Sequence, residues 1–245
     1  MTARGSFSAS LDEGDWQSVR TDLDQYGYAV LPRLLDQSQC GEMIALYRQD
    51  ELFRKTIIMQ NHAYGQGEYR YFTSPLPPMV DNLRRAAYPH LAVVANQWAE
   101  QLHLMDRYPQ ELEQFAQRCW AAGQKRPTPL LLKYGANDFN RLHQDSYGEI
   151  SFPLQMAVLL SAPEQDFDGG EFLLSEQRAR VQSKAEVVPL GQGDGVIFAS
   201  NIRPGRSKDG KSGTPRYHRL THRHGVSRVR SGQRYCLGII FHDAA

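Results

Sequence analysis

Along the chain, the spacing of apolar positions changes near residue 129. From Trp16 to Tyr26 they recur at helical spacing, and Gly27 offers a stop. The apolar run Tyr28 to Leu31, ended by Pro32, reads as a short strand. Asp36 or Ser38 is placed to cap a helix over Cys40 to Asp50, whose apolar face holds Met43, Ile44 and Tyr47. Between this helix and the next, the glycines and aromatics of the segment Asn61 to Phe72 suggest either a mobile loop or a loop tucked onto a sheet. Helical spacing returns from Asn82 to about Cys119, with interruptions expected near Pro89 and Pro109, because proline removes an N–H and crowds the preceding turn. Residues 1–128 are therefore expected to be mainly helical support.

After Pro129 the pattern becomes short apolar runs separated by Gly, Asp, Asn and Pro. These are Leu130 to Tyr134, Pro153 to Ser161, Glu171 to Ser175, Val187 to Leu190, Val196 to Ala199, His222 to Val229 and Tyr235 to Phe241. Several short strands bounded by turn residues predict a sandwich or barrel over residues 129–242, not alternating β–α units. Asp168-Gly169-Gly170 and Gly193-Asp194-Gly195 fit turns that need positive φ. The stretch Asn201 to Arg219, broken by Pro204, Gly205, Gly210, Gly213 and Pro215, reads as a long polar loop. The fold class is mainly β with α support, in a single domain over residues 1–245.

Charge sharpens this picture in one place. The whole chain carries only +1, yet Asn201 to Arg234 holds ten Lys or Arg residues against the single acid Asp209. Such a cluster raises the local potential and favours anionic partners, unless it is only a solvated surface. Cys40, Cys119 and Cys236 form neither a Cys-x-x-Cys pair nor a disulfide framework, which fits reduced thiols in a cytoplasmic protein. Met1 to Asp15 has no apolar core of a signal peptide, and no run approaches the eighteen apolar residues of a membrane span.

The candidate chemistry lies in His143-Gln144-Asp145. Two imidazoles and a carboxylate can occupy one face of an Fe(II) ion and leave other positions open. A lone His-x-Asp carries little, since eight His and fifteen Asp in 245 residues give about half of one match at random. On a strand, His143 and Asp145 would share a side with Gln144 facing away. His218, His222, His224 and His242 are candidates for the third ligand. His222 and His224 share a strand face, so periodicity does not separate them; the offsets to Gly232 and Arg234 favour His224. Arg234, ten residues past His224, offers a permanently charged fork for a carboxylate.

Together these residues resemble the 2-oxoglutarate/Fe(II)-dependent oxygenase superfamily, most closely its prolyl-hydroxylase-like branch, over roughly Leu130 to Phe241. The resemblance implies a double-stranded β-helix, or jelly roll, with N-terminal helices packed on it. It implies that His143, Asp145 and His224 bind Fe(II), that Arg234 binds the far carboxylate of 2-oxoglutarate, and that Tyr134 hydrogen-bonds the same carboxylate. Asp168-Gly169-Gly170-Glu171 matches a structural turn of the family. O2 is the second cosubstrate and ascorbate a candidate reductant. The implied reaction couples oxidative decarboxylation of 2-oxoglutarate to hydroxylation of a protein side chain or a small molecule.

One departure bears on substrate: the long basic stretch between Phe198 and His224 replaces a short family connection. An oxidative demethylase of nucleic acid is the first alternative, although the Arg-x-Asn-x5-Arg pattern of that branch is missing after His224. A non-catalytic iron or 2-oxoglutarate sensor on the same fold is the second. An anionic substrate is expected in each catalytic case if the basic stretch contacts it, and no membrane partner is.

Overall fold

The computed structural model describes residue 11 and residues 15–145, 148–208 and 215–245. Helix α1 (Trp16–Tyr26) starts where the Asp15 carboxylate accepts the Ser18 N–H at 3.0 Å, and it ends at Gly27, whose φ of 80° lets the chain reverse. Helix α2 (Gln37–Leu46) is capped by Asp36, not Ser38, through a reciprocal box with Gln39. Helix α3 (Pro78–Gln101) runs straight through Pro89. Proline costs about 3 kcal/mol inside a helix, but Leu83, Ala87, Tyr88, Leu91, Val94 and Trp98 are buried on this one, and each large apolar side chain returns about 1.5–3 kcal/mol. The interruption comes instead between α3 and α4 (Leu112–Ala121), where the linker folds back so that Tyr88 Oη donates to Pro109 O at 3.0 Å and Gln110 Nε2 donates to Pro89 O at 2.8 Å.

The strands are β1 (Tyr28–Leu31), β2 (Phe53–Ile58), β3 (Gly65–Gln66), β4 (Glu68–Phe72), β5 (Leu130–Tyr134), β6 (Phe139–His143), β7 (Leu154–Leu159), β8 (Phe167–Gly169), β9 (Phe172–Gln177), β10 (Lys184–Val188), β11 (Gly195–Ala199), β12 (Ile202–Lys208), β13 (Pro215–Val226), β14 (Val229–Gly232) and β15 (Arg234–Ile240). The major sheet has the order β1-β11-β7-β15-β5-β4-β2 and the minor sheet β10-β9-β13-β6-β3, with β12 on β13 and a separate β8–β14 pair. All pairings between these strands are antiparallel, and after residue 129 the chain passes back and forth between the two sheets, with β5, β7, β11 and β15 in the major sheet and β6, β9, β10 and β13 in the minor one, which is the jelly roll. Strand periodicity divides β15 cleanly. Leu237 and Ile239 join the core beneath the helices with Tyr88, Phe115, Phe152 and Phe241, while Arg234, Cys236, Gly238 and Ile240 face the space between the sheets.

Three sequence expectations change. Asn61 to Phe72 is neither a free loop nor one tucked onto a sheet: a short 3-10 turn, Met59–His62, leads into β3, which pairs with β6, and into β4, which extends the major sheet. With β1 and β2, the helical half thus lends strands to both sheets. The stretch Asn201 to Arg219 is a β-hairpin, in register from Ile202↔Thr221 to Lys208↔Pro215, and its tip at 209–214 lies outside the described residues. Pro204 and Gly205 masked the strand, but β12 pairs with β13 alone, and a strand with one partner tolerates proline. Finally, β6 ends at His143, so Asp145 lies just past the strand end.

Candidate active site

The minor sheet brings the two histidines together. His224 on β13 is the cross-strand partner of His143 on β6, and their ring centroids are 4.2 Å apart. The chain then turns so that Asp145 comes within 3.6 Å of His143 Nε2 and 3.3 Å of His224 Nε2. One donor atom from each of the three lies within 4.8 Å of the others. His143 Nδ1 is 2.7 Å from the Arg141 carbonyl, which can only accept, so Nδ1 carries the proton and Nε2 offers its lone pair to the cluster. Burial, reinforced by His224 and opposed by Asp145, holds the His143 pKa below its ordinary value and keeps the ring neutral. Two imidazoles and a carboxylate, without a thiolate, suit Fe(II) and argue against a structural zinc site.

The cluster opens onto a cavity of about 210 Å³ between the sheets. Arg234 lines it from the major sheet at 1% exposure, and its Nε and Nη1 have no hydrogen-bond partner. The guanidinium carbon sits 5.7 Å from the Tyr134 ring and 5.9 Å from the Phe167 ring. A buried cation with idle donors facing a cavity is matched to an anion such as a carboxylate. The backbone supports it closely: a Cβ on Gly170 would come within 2.9 Å of Arg234 Cδ. The turn read as structural in sequence is thus the floor under this side chain.

Tyr134 is Arg234's cross-strand partner and fully buried, with its hydroxyl 3.4 Å from Asn140 Nδ2; burial pushes its phenol pKa up. Gln144 lines the cavity and also donates from Nε2 to Asn201 Oδ1 at 2.7 Å and to the His222 carbonyl at 2.8 Å, tying the turn between His143 and Asp145 to the base of the hairpin. His222 stands apart from the donor cluster. Its Nε2 accepts from Arg203 Nε at 2.9 Å, and Arg203 Nη2 also donates to Glu176. His222 and Arg203 hold the Glu176 carboxyl down at about 2. Arg203, one of the basic stretch, is therefore an internal strut, whereas Arg206, Arg219 and Arg223 are exposed. His242 is buried and accepts the Phe152 N–H at 3.2 Å through Nδ1.

Sequence reasoning missed Asn140, Gln155 and Phe172 in the cavity wall, and the partners of Arg203. The signals for Gln155 and Phe172 were present only as inward positions of strands, since nothing in a strand's period says which sheet it faces. Among the described residues, no helix is long and apolar enough to cross a membrane.

Residues 67–244 match the family model Oxygenase-NA, described as "Oxygenase, catalysing oxidative methylation of damaged DNA". Two Mycobacterium tuberculosis proteins, the uncharacterized proteins MT2286 of strain CDC 1551 / Oshkosh and Rv2227 of strain H37Rv, are each 48% identical over 174 residues, covering 71% of this chain and 72% of theirs. In fold the chain is similar to a Pseudomonas putida prolyl-4-hydroxylase, at 16% identity and TM-score 0.55 over 94% of this chain and 100% of that one. It is likewise similar to a 2OG-Fe(II) oxygenase family oxidoreductase from Burkholderia pseudomallei, at 16% identity and TM-score 0.54 over 95% of this chain and 94% of that one. The match over residues 67–244 shows that the chain belongs to the Oxygenase-NA family, and its jelly-roll fold is shared with the prolyl-4-hydroxylase and the 2OG-Fe(II) oxygenase family protein.

Proposed function

We propose that His143, Asp145 and His224 hold Fe(II), that Arg234 grips the far carboxylate of 2-oxoglutarate, and that the product of this coupling is hydroxylation of a protein side chain or a small molecule. The observation carrying the reading is that a three-donor cluster and a buried guanidinium with idle donors line one cavity. Bound iron with 2-oxoglutarate and O2 supplies the oxidation of a C–H bond, with succinate and CO2 as the other products. The chain's share is placement. His143 stays neutral and oriented by the Arg141 carbonyl, and Asp145 supplies the single negative charge. Arg234 and Tyr134 share one face of β15 and β5, where the aromatic rings of Tyr134 and Phe167 shield the cation from water. Phe172 and Phe198 flank His224 with ring centroids at 6.4 and 4.8 Å, so the wall beside that ligand is apolar and excludes water. Tyr64 and Tyr69 line the same cavity, Tyr64 being 49% exposed and stacked on His62, so the substrate approaches over aromatic surface. A peptide and metabolite screen tests the reading: the true substrate gains about sixteen mass units with wild type and none with Asp145→Ala.

A second reading, oxidation of a methyl group on nucleic acid, is favoured by the family description and by the exposed cations Arg206, Arg219 and Arg223 on the hairpin. It requires methylated oligonucleotide to be retained at low salt and released steeply as salt rises. Absence of binding at low salt removes it.

A further inference from the structure

The cavity has two ends, and a diacid held by Arg234 fills only one of them. Gln155 on β7 is 3% exposed, lines the cavity, and its Nε2 has no hydrogen-bond partner. It is the cross-strand partner of Ile240, which lies six residues beyond Arg234 on β15, about 20 Å along the strand at the usual rise. A five-carbon diacid reaches less than half that distance, so Gln155 is out of its reach. The donor cluster adjoins the Gln155 end, because Phe198, the other cross-strand partner of Gln155, has its ring 4.8 Å from the His224 ring. A group that is to be oxidised must sit beside this cluster on the side the diacid leaves open.

The wall there selects by charge. Leu130, Phe198, Gly238 and Ile240 carry no polar side-chain atom, and Arg234 is the only Lys or Arg among the described residues that line the cavity. With Fe(II) and 2-oxoglutarate in place, the charges of the metal and Arg234 are offset by Asp145 and the two carboxylates of the diacid, so no cation is left to receive a further anion. The exposed Arg206, Arg219 and Arg223 of the hairpin are not part of this wall. What remains is one buried primary amide with an unused donor, which is costly to the fold unless an acceptor meets it.

We infer that Gln155 is a specificity-determining residue for the primary substrate, its Nε2–H donating to the carbonyl oxygen of an uncharged group that packs against Phe198 and Ile240 beside the donor cluster. The oxidised C–H bond then belongs to a neutral, carbonyl-bearing moiety, and any charged part of the substrate stays outside the cavity. This rests on the function proposed above.

The test is probe binding to the oxygen-free protein loaded with Fe(II) and 2-oxoglutarate, read by ligand-observed NMR, in which the paramagnetic iron broadens the methyl resonances of a probe held beside it. Three probes share one shape: isobutyramide and 3-methylbutan-2-one are neutral carbonyl compounds, and isobutyrate is their anionic counterpart. Wild type binds both neutral probes, and isobutyrate at least about tenfold more weakly. Gln155→Leu weakens both neutral probes by about tenfold while 2-oxoglutarate, titrated separately by calorimetry, binds as in wild type. Since Nε2 has no partner in the free protein, Gln155→Leu does not lower the ligand-free Tm; Gln155→Met serves if the leucine variant fails to fold. The inference is overturned if wild type binds isobutyrate as well as the neutral probes, if it binds none of the three, or if the apolar variants bind the neutral probes as wild type does. If wild type takes up no 2-oxoglutarate, the function proposed above fails; if it does and the probes give any of those three results, only this inference does.

Discussion

Arg234→Met separates a cosubstrate grip from a structural arginine, because the two predict opposite signs in different states. In the free protein the guanidinium is 1% exposed with Nε and Nη1 unbonded, and each buried unsatisfied group costs about 1–3 kcal/mol. The stacking on Tyr134 and Phe167, with the guanidinium carbon 5.7 and 5.9 Å from the rings, returns about 0.5–2 kcal/mol. Methionine fills similar space without the idle donors. Stability of the ligand-free protein should therefore rise by about 1–3 kcal/mol, or roughly 2–10 °C in Tm for a chain of this length. In the complex, two charge-assisted bonds are lost at about 1.5–3 kcal/mol each, so 2-oxoglutarate affinity should fall by about two to four orders of magnitude. The assay is calorimetric unfolding without ligand beside titration with 2-oxoglutarate and Fe(II) in the absence of oxygen. A lower Tm with unchanged affinity would refute the reasoning, since it would mean that Arg234 stabilises the fold and meets no carboxylate.

Glu176→Gln leaves Arg203 without its carboxylate; because Glu176 is partly exposed, the expected loss is about 2–4 kcal/mol, seen as a Tm lower by roughly 5–10 °C, and an unchanged Tm contradicts the strut. Burial holds His242 at about 4, below the ordinary imidazole value near 6.5, so the unfolded chain binds more protons between these values. This contribution to stability is complete above about pH 6.5 and is lost as pH falls toward 4, by up to about 3 kcal/mol; urea unfolding against pH checks it, and His242→Asn should flatten that limb. Gln144→Ala frees the metal turn from Asn201 and the His222 carbonyl and should weaken Fe(II) binding by about tenfold in a competition titration while leaving Tm within a few degrees. An equal loss of Tm would make Gln144 a fold residue.

What the sequence made legible was local. Gly27 and the paired Gly169 and Gly170 act through their own backbone and Asp36 through a side chain that reaches only three residues on, and the runs after Pro129 became strands because β-branched and apolar residues at period two need no distant partner to be read. The donor cluster was legible for a related reason: one cross-strand pair, His143 with His224, brings three donors together, and only the short β14 and its two connections separate that pair from Arg234. Misreadings came where tertiary context overrides a local signal. Pro89 breaks helices in isolation but is carried here by a fully buried face, and Pro204 and Gly205 hide a strand that has a neighbour on one side only. Arg203 illustrates the limit for charge: counted with a solvated basic stretch, it is buried against Glu176, His222 and helix carbonyls, and no composition reveals that.

The central claim is that His143, Asp145 and His224 hold the iron that oxidises 2-oxoglutarate. Its most direct measurement is Fe(II)- and O2-dependent succinate formation from 2-oxoglutarate by wild type, His143→Ala and Asp145→Ala, each confirmed as folded. Wild type should form succinate with iron and oxygen present, and each variant should fall by at least about a hundredfold. Wild-type rates in His143→Ala or Asp145→Ala would contradict the assignment of the metal.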